Sequence, residues 1–341
     1  MGASQGGVGR VSRLGLDGGC DRRSLRLLGG GAARNVRDSV PRLQVSAERP
    51  LIGGHVSTRG GIDKAVDNAQ RIGAEVFQTH PTPAQTWTPL RLDDIVLGVY
   101  KEKFARAGLR GHYLHAVYLV NLASPKAFLV KQSVGSLVHY MQLAERLEAD
   151  GVVFHPGSHL GAGFEAMLPQ MGAALREVVV RSATTRPLLL VENSAGSGGC
   201  IGCSLEEVAR IVEGAASDRV AVCFDTQHAF ASGYDVHTAE GVAHTLSELD
   251  RLIGFDHLAL VHANDSRREL GSNVDRHANI GDGEIGSEGF RLLLADARVR
   301  RVPWILEVPG ETQDGPDLVN VNRLRACAGR PPAQPEAVAA V

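Results

Sequence analysis

Residues 187–192 read PLLLVE and residues 219–225 read RVAVCFD. Both are short apolar runs without the polar alternation of a half-exposed strand, and both stop on a carboxylate. A strand that is apolar on successive residues is covered on its two faces, as in a parallel sheet layered against helices. Between the two runs, Leu205–Val212 carries apolar residues at helical spacing. The same unit repeats outward in both directions. Towards the N-terminus come GVVFH (151–155), RGHYLH (110–115), AEVFQTH (74–80) and LIGGH (51–55). Towards the C-terminus come HLALVH (257–262) and VPWILEV (302–308). Amphipathic stretches at Gly61–Ile72, Lys126–Leu147 and Glu165–Arg181 fall between the runs. Eight buried strands alternating with helices over about 275 residues predict one α/β domain, a (β/α)8 TIM barrel.

The chain has 341 residues, 43% of them hydrophobic and 22% charged. That is an ordinary globular composition, with enough apolar mass for a large core. The barrel is placed at residues 51–328. Residues 1–50 differ from it: they hold ten of the 40 glycines, nine Arg, no Lys and four acids. With no sustained period they are expected to be a disordered Gly/Arg-rich extension, and residues 329–341 a disordered C-terminal tail. The extension carries +5, which leaves −7 on the rest of a chain whose net charge is −2. Five cysteines at irregular spacing do not make a secreted disulfide framework. Cys200 and Cys203 form a CxxC with no second ligand pair, so a structural zinc site is not expected there. A reducing, cytoplasmic setting fits. No stretch has the length of apolar residues that a membrane span requires.

In a barrel of this kind, residues at the C-terminal ends of the strands meet on one face. Here those ends are His55, His115, His155, Glu192, Asp225, His262 and Glu307. Any one alone reads as a polar strand terminus. Seven in one ring do not, because unneutralised carboxylates at that density repel one another. Imidazole mixed with carboxylate calls for divalent metal, and this mixture suits zinc or manganese. Two pairs enlarge the set. In DTQHAF, His228 follows Asp225 by three; in VDRHANIG, Asp275 and His277 are separated by one residue in a Gly-rich loop. So many donors exceed the needs of one or two ions and point to three. Three such ions would bring the acidic body close to neutrality, so its net charge does not exclude a polyanionic partner.

The segments HPGSHL (155–160), VENSAG (191–196), CFDTQHAFASGYD (223–235), HANDSRRELGSNVDRHANIGDGEIG (262–286) and ILEV (305–308) resemble the endonuclease IV family of abasic-site endonucleases. IGGHVSTRGG (52–61) and HAVYLVNLASP (115–125) are similar to its opening strands. The resemblance runs from about Leu51 to Arg325. It implies three zinc ions per chain, with manganese as an alternative occupant. By the same resemblance, His115 and His155 bind one ion and Glu192 bridges it to a second. Asp225, His262 and Glu307 complete the second site, and His228, Asp275 and His277 hold the third. The activity implied is that of a deoxyribonuclease IV type ester hydrolase. A water acidified between closely spaced ions attacks the phosphate 5′ to the lesion, with Glu192 and Glu307 orienting it. Products are a 3′-hydroxyl and a 5′-deoxyribose phosphate, and blocked 3′ ends are cleaned at the same site.

The implied partner is double-stranded DNA with abasic or 3′-blocked lesions, bound by a monomer at the nucleoid. A nucleotide without its base costs less to extrude, which favours abasic sites. Tyr118 is expected to pack against the gap in the stack. Arg276, with Arg267 and Arg268, is expected at phosphates, as is the amide of Asn264, while His55 stands beside the cluster and is counted with the DNA-binding residues. One loop departs from the family pattern: QTHPTPAQTW places Pro83 and Gln85 ahead of Trp87, where an Asn and an Arg are usual. The competing reading is a xylose-isomerase-like sugar isomerase or epimerase. It shares the barrel but needs only one or two ions.

Overall fold

The computed structural model describes residues 49–334. Eight parallel strands close into a barrel: β1 (Ile52–His55), β2 (Val76–Thr79), β3 (Gly111–His115), β4 (Gly151–Phe154), β5 (Leu188–Glu192), β6 (Val220–Asp225), β7 (Leu258–His262) and β10 (Trp304–Leu306). Closure is between β1 and β10, where Ile52, Gly53 and Gly54 stand opposite Trp304, Ile305 and Leu306. The predicted fold is the observed one. Two short strands, β8 (Asp265–Ser266) and β9 (His277–Ala278), form an antiparallel ribbon in the loop after β7.

Helices alternate with the strands: α1 (Ile62–Arg71), α2 (Asp94–Arg106), α3 (Ala127–Leu147), α4 (Phe164–Ser182), α5 (Leu205–Ala215), the six-residue α6 (Thr226–Ala231), α7 (Ala239–Leu252), α8 (Gly286–Ala295) and α9 (Leu318–Cys327). Several begin where a short polar side chain accepts the free N–H of the first turn: Asp93 from Val96, Ser204 from Glu207, Thr238 from Gly241 and Asp317 from Asn320. Each such cap stabilises its helix by about 1 kcal/mol.

The absence of alternation in the strands has a direct cause. Along β5, Leu188 and Leu190 fill the barrel interior with Val76, Val153, Leu260 and Ile305. Leu189 and Val191 face the helix layer instead. Both faces are dry, so both must be apolar. Gly53 is demanded by the same closeness, since a Cβ there would sit 1.6 Å from the Val76 carbonyl oxygen.

The barrel is pinned at the opposite end from the strand termini. Glu75, just before β2, accepts from Arg330 at 2.6 and 2.9 Å and from the Ile52 amide at 3.3 Å. Arg330 also donates to the Pro50 carbonyl at 2.6 Å, and the Ala333 amide to Asn322 at 2.6 Å. Residues 329–334, expected to open a loose tail, are therefore held. An isolated Arg in a Pro- and Ala-rich stretch gives no local hint of a partner far upstream in the chain. The remaining expectations for the termini concern residues 1–48 and 335–341, which lie outside the described residues.

Candidate metal centre

The strand ends deliver the donors. His115, Glu192, Asp225 and His262 are the last residues of β3, β5, β6 and β7, and His155 and Glu307 follow β4 and β10 by one. Asp225 also caps α6: its Oδ1 accepts the His228 amide at 2.8 Å, so a spacing of three turns both side chains to the same place. The loop from 262 to 286 is folded around Asp265. Its carboxylate accepts the amides of Ser266, Gly281, Gly283, Ile285 and Gly286 at 2.8–3.3 Å. With the β8–β9 ribbon, this cage carries His277 over the barrel mouth. In the HPGSH segment, Gly157 has φ +100 and a Cβ there would lie 2.3 Å from Asn121 Oδ1. Only glycine lets the chain turn so closely after His155.

Three groups of donor atoms result, the members of each lying within 4.8 Å of one another: His115, His155 and Glu192; Glu192, Asp225, His262 and Glu307; Asp225, His228 and His277. Glu192 belongs to the first two and Asp225 to the last two, so the groups form a linked row. Asp275, paired with His277 by the sequence, stands at the exposed edge of the row. Its oxygens lie 3.5 Å from His228 Nε2 and 3.3 Å from His277 Nε2.

Hydrogen bonds behind the row decide which ring nitrogen faces it. Carbonyls only accept, so a nitrogen bonded to one carries the hydrogen. His115 Nδ1 donates to the Ala116 carbonyl at 2.7 Å, His228 Nδ1 to that of Asn193 at 2.9 Å, and His277 Nδ1 to that of Glu307 at 3.2 Å. His262 is turned the other way, with Nε2 at 3.0 Å from Gln78 Oε1. Each leaves its other nitrogen against carboxylate: His115 Nε2 at 3.2 Å from Glu192, and His262 Nδ1 at 2.9 Å from Glu192 and 3.2 Å from Glu307. A lone pair and an anionic oxygen at such distances need a cation between them.

Without metal, protons do that work. Burial opposes the charged form of His228 and His262, but it is outweighed by the surrounding carboxylates at His228 and by the Cys223 sulfur together with Glu307 and Glu192 at His262, which hold both imidazoles well above their ordinary range. Burial likewise opposes ionisation of Glu192 and Glu307, yet the neighbouring imidazoles hold both well below the usual carboxyl value. Divalent ions supply the same positive charge with better geometry for several donors at once. His277 Nε2 is a further sign of fit, being buried with no hydrogen bond of acceptable geometry. The residues present fit a metal cluster, and the outer N–H contacts are those that orient ligating histidines.

The residues expected at DNA divide. Tyr118 is 58% exposed on the rim, with its ring centroid 5.9 Å from that of His155 and 5.7 Å from that of His115. Arg267, Arg268 and Arg276 are exposed on the neighbouring loop. Asn264 is not available to a phosphate. It is fully buried, its Nδ2 donates to Asp225 Oδ2 at 2.6 Å, and its Oδ1 accepts the Glu307 amide at 2.8 Å. It positions two carboxylates instead. His55 is also engaged: Nε2 accepts the His80 amide at 3.1 Å, and Nδ1 lies 3.3 Å from Glu307.

Sequence reading passed over Gln78 and His80. Gln78 joins the row from behind, donating to Glu307 Oε1 at 2.6 Å while meeting His262. His80 follows β2 and contacts the rings of His55, His115 and Tyr118 at 4.6, 4.9 and 5.4 Å. The signal was present, since AEVFQTH closes on His like the other runs, and residues two apart share a strand face. Beside the row is a cavity of about 840 Å3 whose lining includes His55, Arg59, His80, Tyr118, His277 and Glu307. Among the described residues, Cys200 and Cys203 join no metal-capable group; Cys203 Sγ donates to the Cys200 carbonyl, and burial pushes its thiol up to about 12.

Comparison with known proteins agrees with this architecture. Residues 66–327 match the family described as xylose isomerase-like TIM barrel. The chain is 39% identical over 280 residues to a protein of Geobacter sulfurreducens named probable endonuclease 4, covering 82% of this chain and 95% of that one. A protein of the same name from Methanoculleus marisnigri is also 39% identical over 280 residues, covering 82% and 99%. The crystal structure of endonuclease IV from Thermus thermophilus superposes with a TM-score of 0.72 at 35% identity, over 82% of this chain and 99% of that one. A D-tagatose 3-epimerase-like protein at 18% identity and a TM-score of 0.60 shares the fold. The strand-end donors and the barrel that gathers them are thus found on a chain that belongs to the endonuclease 4 family.

Proposed function

We propose that this protein is a metal-dependent DNA repair endonuclease. It hydrolyses the phosphodiester 5′ to abasic sites in duplex DNA, leaving a 3′-hydroxyl and a 5′-deoxyribose phosphate, and removes 3′ blocks at the same site. The observation that carries this reading is the row of three linked donor groups at the barrel mouth. Three zinc ions are the proposed occupants, manganese being the alternative. Bound there, divalent cations supply positive charge against the phosphate and acidify a water molecule.

The chain's own residues do the rest. Glu192, common to two groups and held as carboxylate by its imidazole neighbours, orients the attacking water and accepts its proton. Glu307 is fixed from four sides, by Gln78, His55, His262 and the Asn264 contact to its amide, and shares that task. His228, His277 and Asp275 gather at the outer end, where the leaving 3′-oxygen is placed. Tyr118 stands on the rim to fill the space of the missing base. The working form is a monomer acting at the nucleoid.

The same barrel in a sugar isomerase or epimerase needs one or two ions, and there the third group would have no task. The test is a duplex carrying a tetrahydrofuran abasic analogue. Metal-replete protein is expected to nick it once, 5′ to the analogue. Chelation is expected to abolish the cut, and added zinc to restore it. About three ions per chain are expected by elemental analysis. An untouched duplex together with aldose–ketose exchange would overturn the reading.

A further inference from the structure

Among the described residues, His80 is the one histidine of the mouth that carries the tautomer of a ligand but stands outside every donor group. Its Nδ1 donates to the His115 carbonyl at 3.1 Å, so the remaining site on the ring is Nε2. That atom makes no hydrogen bond among the described residues, and His80 is part of the cavity wall beside the row. The ring cannot swing freely. It is packed against His55, meets Tyr118 and His115 edge-on, and its own amide is bonded to His55 Nε2. With Nδ1 donating its hydrogen, a fixed nitrogen acceptor thus stands in the wall of a cavity that Glu307 and His277, members of two metal-capable groups, also line.

A scissile phosphate held at those groups places its 3′-side sugar one ester bond away, within reach of this cavity. Resting on the proposed abasic-site activity, we infer that His80 Nε2 accepts a hydrogen bond from the C1′ hydroxyl of the ring-closed abasic deoxyribose. The chemistry discriminates by itself. An intact nucleotide carries a base on C1′, with no donor at that atom, whereas the hemiacetal left after base loss carries an O–H. An acceptor in the wall therefore reads the presence of the lesion's own hydroxyl in addition to the absence of the base. His80 is then a specificity-determining residue for the sugar.

The experiment compares two duplexes, one with a natural abasic site and one with the tetrahydrofuran analogue, which lacks the C1′ hydroxyl. Wild-type protein is expected to prefer the natural site by about five- to tenfold in kcat/KM, the range of one neutral hydrogen bond, mostly through KM. His80→Phe keeps a ring against His55 and Tyr118 but removes the acceptor. It is expected to lose that preference, read as the ratio of kcat/KM on the two duplexes, with unchanged metal content. His80→Gln, which restores an acceptor, is expected to recover the preference, and His80→Leu serves the same arm should the phenylalanine variant fail to fold. Equal preference in wild type and in the acceptor-less variant overturns the role of His80 and leaves the endonuclease reading intact. Failure of the wild type to cut either duplex overturns that reading itself.

Discussion

At the scale of single residues, the site is organised by sharing. Glu192 faces His115 and His155 through one oxygen and His262 and His228 through the other, at 2.9–3.6 Å. Removing its charge leaves two donor groups short at once. Glu192→Gln is therefore expected to lower nicking by at least about a hundredfold and to reduce bound metal by more than one ion per chain. Measured kcat/KM with elemental content decides it, and a glutamine variant with full metal and full activity would refute the bridging role. The donors themselves were legible because each ends an apolar run or sits in a tight polar pair, which are features of local sequence. Asn264 was misread because it also lies next to such an end; only the fold shows its amide spent on Asp225 and Glu307. Gln78 was silent for the same reason, its partners lying 184 and 229 residues away.

At the scale of elements, the strands and the helices α1, α3, α4 and α5 could be read because burial on two faces and helical period leave strong patterns. The loop between β7 and α8 could not, as its shape comes from one carboxylate. Asp265 is fully buried and gathers five amides, most of them on the far side of the loop. Burial pushes its carboxyl above the ordinary value, although the amides pull the other way. Asp265→Ala would leave those donors without a partner in a dry place, a loss of at least about 3 kcal/mol. The consequence for the site is selective. His277 and Asp275 ride on this loop, whereas His115, His155, Glu192 and His262 stand on barrel strands or beside them. The variant is expected to melt at lower temperature and to lose metal from the outer group first, retaining the rest. Uniform loss of all bound metal, or none, would contradict a separate role for the loop.

At the scale of the whole molecule, the barrel must be closed at the end away from the site, and the clamp around Glu75 performs this. It joins the residue before β2, the segment entering β1 and the chain beyond α9 through Arg330, with Arg49 and Arg325 nearby. Arg330→Ala, or a chain ending at residue 328, is expected to cost at least about 2 kcal/mol of stability, as the two charge-assisted bonds to a mostly buried carboxylate are lost. The pH dependence has a definite sign. Burial works to raise the Glu75 carboxyl, but the Arg330 pair outweighs it, and the group is held below its ordinary value of 4.5. A depressed folded value means that the stabilisation is complete above the unfolded value and is lost as pH falls through the folded one. The melting difference between wild type and Arg330→Ala is thus expected to stay constant from pH 7 to about pH 5 and to shrink below about pH 4.5. If the difference persisted undiminished at pH 3, the contribution would belong to the packed stem of the arginine and not to its charge.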